Sequence, residues 1–107
     1  MSYKVVYRPQ ANQDLDDIFS FILNQSGSAD RALNYVERVL SFCNSFITFP
    51  HRGTKRDNLR KDLRLVGFER RATIAFSIEG ETITIARIFY AGRDIDILEN
   101  KNDFSPN

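Results

Sequence analysis

The sequence predicts an α+β domain: an N-terminal strand, then a helical hairpin packed on one face of a small, mostly antiparallel sheet, in the order β-α-α-β-β-β. Three observations predict it. Apolar residues recur at helical spacing through most of the first half. The spacing changes to a period of two after residue 62. The two helical stretches are separated only by QSGSAD, a turn-length break that sets them antiparallel. At 107 residues the chain is expected to form one domain, residues 1–107, with about 99–107 a frayed tail.

Tyr3, Val5 and Tyr7 alternate with Lys4 and Val6 as a first strand that ends before Pro9. Pro9 suits the first turn of a helix, where its missing N–H would be unpaired anyway. From Ala11 the apolar positions 11, 15, 18, 19, 22 and 23 form one stripe, opposite Gln13, Asp16, Asp17, Ser20 and Asn24. Asp14, Asp16 and Asp17 suit the positive end of the helix dipole, and Phe21 falls outside the stripe, on the side of Asp14. Gly27 is placed to end this helix and Ser28 to cap the next. The second helix runs to about Phe49, before Pro50. Its stripe of Leu33, Val36, Val39, Leu40, Cys43, Phe46 and Ile47 is widened by Tyr35, Phe42 and Phe49, so the helix packs on two flanks.

Residues 51–62, HRGTKRDNLRKD, read as a polar loop marked by Gly53. Leu63, Leu65 and Phe68 then suit one strand, and Ile74, Phe76 and Ile78 another. Glu79, Gly80 and Glu81 turn the chain into Thr82–Tyr90, TITIARIFY. In that strand Ile83 and Ile85 share a face with Arg87 while Ile88 points the other way. Either a bulge exchanges the faces, or the strand is covered on both sides with Arg87 at a functional edge.

Composition excludes several classes. No apolar run approaches the ~20 residues of a membrane span, and MSYKVVYRP lacks the apolar core of a secretory signal, so the expected location is the cytoplasm. Cys43, the single thiol, lies on a helix stripe and reads as a buried hydrophobe. His51 sits in a polar loop and reads as surface. One His and one Cys assemble no metal cluster, and no glycine-rich nucleotide loop is present, so no metal, cofactor or catalytic residue is expected. Net charge is +1 but unevenly spread: residues 52–71 carry eight basic against three acidic side chains, net +5, and residues 94–107 one against four, net −3. A basic middle of this kind attracts acidic partners locally. No direct nucleic-acid binding is expected.

What remains is arginine on strands: Arg64, Arg70, Arg71 and Arg87, with Arg93 just beyond. Alternation puts Arg70 and Arg71 on opposite faces, so one of them can line a sheet face that the helices leave open. Guanidinium forks there suit carboxylate or phosphate. The plainer alternative is an internal pair with Asp62, Glu69 or Asp94.

With these residues in place, the sequence resembles the ParE branch of the RelE/ParE toxin superfamily over almost its whole length. The similarity runs from A-x-x-D-L-D-D-I-F-S-F-I (Ala11–Ile22) through F-x-x-F-P-H-R-G (Phe46–Gly53) and D-N-L-R (Asp57–Arg60). The specific blocks are G-F-E-R-R-A-T-I-A-F and I-A-R-I-F-Y-A-G-R-D (Ile85–Asp94). The resemblance implies the toxin of a type II toxin–antitoxin pair, acting on DNA gyrase and held by a ParD-like ribbon-helix-helix antitoxin whose extended C-terminal segment wraps it. In the RelE branch, which cuts messenger RNA on the ribosome, lysines, arginines and a C-terminal tyrosine do the chemistry. Here Arg71 and Arg93 fall near the family's two sheet arginines. The tyrosine's place falls near Ile97 and Leu98, however, and no lysine pair stands on the sheet, which argues against nuclease activity. Tyr90 stands where many relatives carry histidine, and Arg8 precedes Pro9 where a capping serine is usual. The binding residues implied are Arg64, Arg71, Arg87 and Arg93, with Phe21, Phe42 and Tyr90 as apolar contacts. The alternatives are a RelE-like nuclease and a relative without toxicity that survives as a binding module.

Overall fold

Proline and glycine bracket the first helix as their backbone preferences require. In the computed structural model, which describes residues 2–90, β1 (Lys4–Tyr7) leads straight into α1 (Pro9–Ser26), with Pro9 in the first turn. Gly27 closes α1 in the left-handed region at φ 68°, its N–H donating to the Leu23 carbonyl. The Ser28 side chain accepts from the Arg31 N–H and caps α2 (Ala29–Asn44). A 3-10 turn (Ser45–Ile47) continues α2 toward Pro50, so the helical stretch of the sequence divides into two kinds of helix.

The five strands lie in the order β1-β5-β4-β3-β2. They comprise β2 (Thr54–Lys55), β3 (Leu63–Phe68), β4 (Ala72–Glu79) and β5 (Thr82–Tyr90) besides β1. Only β1 and β5 are parallel; the other pairs are antiparallel. The fold is the predicted one, with a two-residue strand added inside the stretch read as loop. Thr54 and Lys55 reach β3 because Gly53, at φ 69°, brings the chain so close that a Cβ there would stand 2.0 Å from the Leu65 carbonyl oxygen.

The helices bury one face of the sheet. Ala11, Leu15 and Ile18 of α1 and Tyr35, Val39, Cys43 and Phe46 pack on Ile74, Phe76, Ile83, Ile85 and Ile88. Alternation sends Leu63, Leu65, Ala75 and Phe89 to the opposite face, where with Ala86 and Leu59 they form a second buried cluster. That second face therefore carries apolar packing of its own, which corrects the picture of an open face lined by arginine.

The ambiguity in β5 resolves as a bulge. Ala75 pairs with Arg87 but Phe76 pairs with Ile85, so Ala86 is an extra residue. Ile85 and Ile88 thereby share the helix side, and Ala86 joins the second cluster. Among the described residues no helix is long and apolar enough to cross a membrane.

Candidate partner-binding site

Six of the seven sequence-predicted residues lie among those described, in three separate places, and the site forms in one of them. Arg87 is a structural group. Its Nε and one terminal nitrogen donate to the Asp14 carboxylate at 2.9 and 3.1 Å, and the Ile88 backbone N–H donates to the same carboxylate at 2.8 Å. The pairing arises from topology: β1 ends at Tyr7, the Arg8 N–H makes the last bond to the Ile85 carbonyl, and beyond it the edge of β5 lacks a strand. Asp14, on the next helical turn, supplies the acceptor for that edge. Both side chains are largely buried, at 13 and 6 % exposure. The sequence reading placed Asp14 only as a helix-dipole acid, although it flanks the apolar stripe, three residues past Ala11 and four before Ile18.

Arg64 and Phe42 belong to a second internal arrangement. The Arg64 Nε donates to the Arg52 carbonyl at 2.9 Å. The Arg52 guanidinium lies over the rings of Phe42, Phe46 and Phe49, at 5.4, 5.3 and 5.9 Å. Phe42 also packs on Phe68, with ring centres 4.8 Å apart, so its ring is engaged within the fold. Arg93 lies outside the described residues, as do Asp94, Ile97, Leu98 and the predicted tail.

Arg71, Tyr90 and Phe21 do come together, on the helix side of the sheet. The pairing of Phe68 with Ala72 leaves Glu69–Arg71 to reverse the chain, so Arg70 and Arg71 are turn residues rather than neighbours on a strand. The Arg71 N–H donates to the Phe68 carbonyl, while Glu69 and Arg70 hold φ of 49 and 62°. Positive φ at both central positions is the type I′ arrangement, which Asn-Gly fills without strain. A non-glycine residue there costs about 1–2 kcal/mol.

Across from this turn, α2 presents Arg31, Tyr35 and Arg38 at i, i+4 and i+7, one side of the helix. Between α2 and the turn lies a cleft of about 360 Å³, lined by those three residues, Glu69, Arg71, Tyr90 and Ile22. Arg38 and Glu69 bridge it with a two-pronged pair, at 2.9 and 3.0 Å. The Arg38 bond holds the Glu69 carboxyl below its usual range. Aromatic rings form the wall: Tyr35 meets Tyr90 edge-on at 5.1 Å, and Tyr90 meets the exposed Phe21 at 5.7 Å.

Two features of this cleft are incomplete. The Tyr35 hydroxyl is buried without a hydrogen-bond partner among the described residues, on a side chain only 6 % exposed. Burial pushes its phenol up to about 12, with Tyr90 and Glu69 adding to the shift, so it is a proton donor at neutral pH. Arg31 and Arg71 make no ion pair among the described residues. With three guanidinium groups against one carboxylate, the cleft is suited to receiving an anion. His51 is exposed and Cys43 buried, as expected, and no group of metal-binding side chains occurs among the described residues.

A helical hairpin on one face of a five-stranded sheet, with a cationic cleft at its margin, defines a two-layer α+β protein. The fold is similar to that of the structure described as "Chromosomal ParDE TA system from P. aeruginosa", with a TM-score of 0.72 at 22% identity over 83% of this chain and 96% of that one. Residues 5–95 match the sequence profile described as "ParE toxin of type II toxin-antitoxin system, parDE". The chain belongs to the ParE toxin family. A search of curated proteins finds no match.

Proposed function

We propose that this protein inhibits DNA gyrase by binding it, without catalysis, and that a ParD-like ribbon-helix-helix antitoxin neutralises it in the cytoplasm. Membership of the ParE family over residues 5–95 is the observation that carries this reading. Two features of the molecule support it. Arg71, Tyr90 and Phe21 gather at a cleft with two further arginines, a surface suited to a macromolecular partner. The lysine pair of a RelE-like nuclease has no counterpart on β3, β4 or β5, since Lys55 lies on the short β2 and Lys61 precedes β3. The test is plasmid supercoiling by purified gyrase with the protein added. Supercoiling should fall with increasing protein and recover when the antitoxin is supplied. Intact supercoiling together with cleavage of ribosome-bound message would establish the nuclease reading instead, and no effect in either assay would leave a binding module.

A further inference from the structure

Three features of the cleft between α2 and the β3–β4 turn converge on one ligand chemistry. The Tyr35 hydroxyl is a buried donor without an acceptor among the described residues. A buried hydroxyl left unpaired carries the desolvation cost of the group with nothing to offset it. Arg71 of the turn and Arg31 of α2 line the same cleft, without ion pairs among the described residues. The turn itself holds two non-glycine residues at positive φ, and such strain collects where a ligand is gripped.

We propose that this cleft is a carboxylate receptor. Arg31 and Arg71 grip an acidic side chain of a protein partner, the Tyr35 hydroxyl donates to it, and an adjacent apolar side chain of the partner rests on Ile22 and Tyr90. The inference deepens the function proposed above and rests on it for the partner, an acidic segment of the antitoxin. Charge complementarity selects that occupant: the cleft carries three cations against one anion. Its mixed lining decides between sources of negative charge. A free phosphate would use only the guanidinium groups and the Tyr35 hydroxyl, whereas a peptide acid with an apolar neighbour uses the aromatic wall as well.

Glu69 has a definite part in this arrangement. Its two-pronged bond to Arg38 places a carboxylate of the chain itself at the mouth of the cleft, with both side chains about half exposed. Glu69 occupies Arg38 in the unbound protein and lowers the positive charge that an incoming acid meets. Removing the charge at Glu69 therefore strengthens acid binding, while removing the charge at Arg71 weakens it. A merely structural cleft would not show opposite signs.

The experiment is an NMR titration of the full chain with the capped dipeptide acetyl-leucyl-glutamyl-amide, alongside its glutaminyl counterpart and inorganic phosphate. Saturable shifts at Tyr35, Arg71 and Tyr90 are expected, with Kd of order 1 mM. The glutaminyl peptide and the Arg71→Gln variant should each bind about tenfold more weakly, and Tyr35→Phe roughly threefold or more, at unchanged fold by their spectra. Glu69→Gln should bind more tightly than wild type. Equal binding of the two dipeptides, no saturable shift, or indifference to Arg71→Gln would overturn the proposal. Phosphate binding more tightly than the glutamyl dipeptide at the same residues would overturn it in favour of a simple anion site. The supercoiling assay is independent of this readout. A chain that leaves gyrase untouched yet binds the dipeptide would refute the target and keep the receptor, and the converse result would refute the receptor alone.

Discussion

Sequence places Arg71 and Arg87 on one binding surface; the structure predicts that substituting them has different consequences, and Asp14 is where this can be measured. Asp14→Ala removes the acceptor of three N–H groups at once, two from Arg87 and one from the Ile88 backbone. Breaking a pair this deeply buried costs about 3–5 kcal/mol, much of it from donors left in a low-dielectric site. Taking the lower figure, the melting temperature of a domain this size should fall by roughly 12–20 °C. Asp14→Asn retains one acceptor oxygen but loses the charge, and should cost about half as much. Replacing the pair with apolar residues, Asp14→Leu with Arg87→Met, should recover a large part of the loss, because neither charge then remains buried. Arg71→Gln, in an exposed turn, should change stability by no more than about 0.5 kcal/mol. Urea unfolding followed by circular dichroism gives all four values, provided the slope with denaturant stays constant. The reasoning fails if Asp14→Ala costs less than about 1 kcal/mol, or if Arg71→Gln destabilises as much as Asp14→Ala.

Two further outcomes follow from the geometry. Gly53→Ala drives a methyl group into the Leu65 carbonyl at a backbone angle unsuited to alanine, so it should detach β2 from β3 and cost about 2 kcal/mol or more, read as loss of amide protection at Thr54 and Leu65. Tyr35 is raised from its ordinary value of 10.0 to about 12 by burial, so the folded state favours the neutral phenol. Its contribution to stability is complete below pH 10 and is lost as pH rises toward 12. Tyr35→Phe should flatten the alkaline unfolding curve between those limits, and an unchanged curve would contradict the assignment. Cys43, raised from 9.0 to about 11 by burial, adds a decline that begins one unit lower.

The elements with strong periodicity or punctuation were legible in the sequence. Pro9 and Gly27 mark both ends of α1, and the last predicted strand, Thr82–Tyr90, matches β5 over the described residues. Two residues of β2 carry no period, and what defines that strand is a close approach at Gly53 that only the folded chain creates. The site was half legible. Arg71, Tyr90 and Phe21 stand out in the sequence by residue type. Their neighbour Tyr35 reads in the sequence only as part of the widened apolar stripe, and Arg31 and Arg38, on its polar side, read as solvated surface until a turn from β3 and β4 is set opposite them. Arg87 was misplaced for a physical reason. Its partner lies 73 residues away in the chain, and neither the period of the strand nor that of the helix reports such a pair.

For the charged groups, the state of pairing separates fold from function here more sharply than residue type does. Asp14 and Arg87 meet at short distances in the interior and answer one another's charge, and the same carboxylate closes a strand edge left open by the end of β1; such an arrangement explains itself. Arg52, spread over three phenylalanine rings and bonded to the Phe49 carbonyl, is equally self-contained. Around the cleft the accounts stay open. A buried hydroxyl lacks an acceptor among the described residues, guanidinium groups outnumber carboxylates, and the turn that holds Arg71 adopts angles its residues disfavour. Nothing among the described residues gives a return for any of these. An acidic group entering from outside would supply the hydroxyl's acceptor, balance the excess charge and offset the strain of the turn, so the three costs share one remedy.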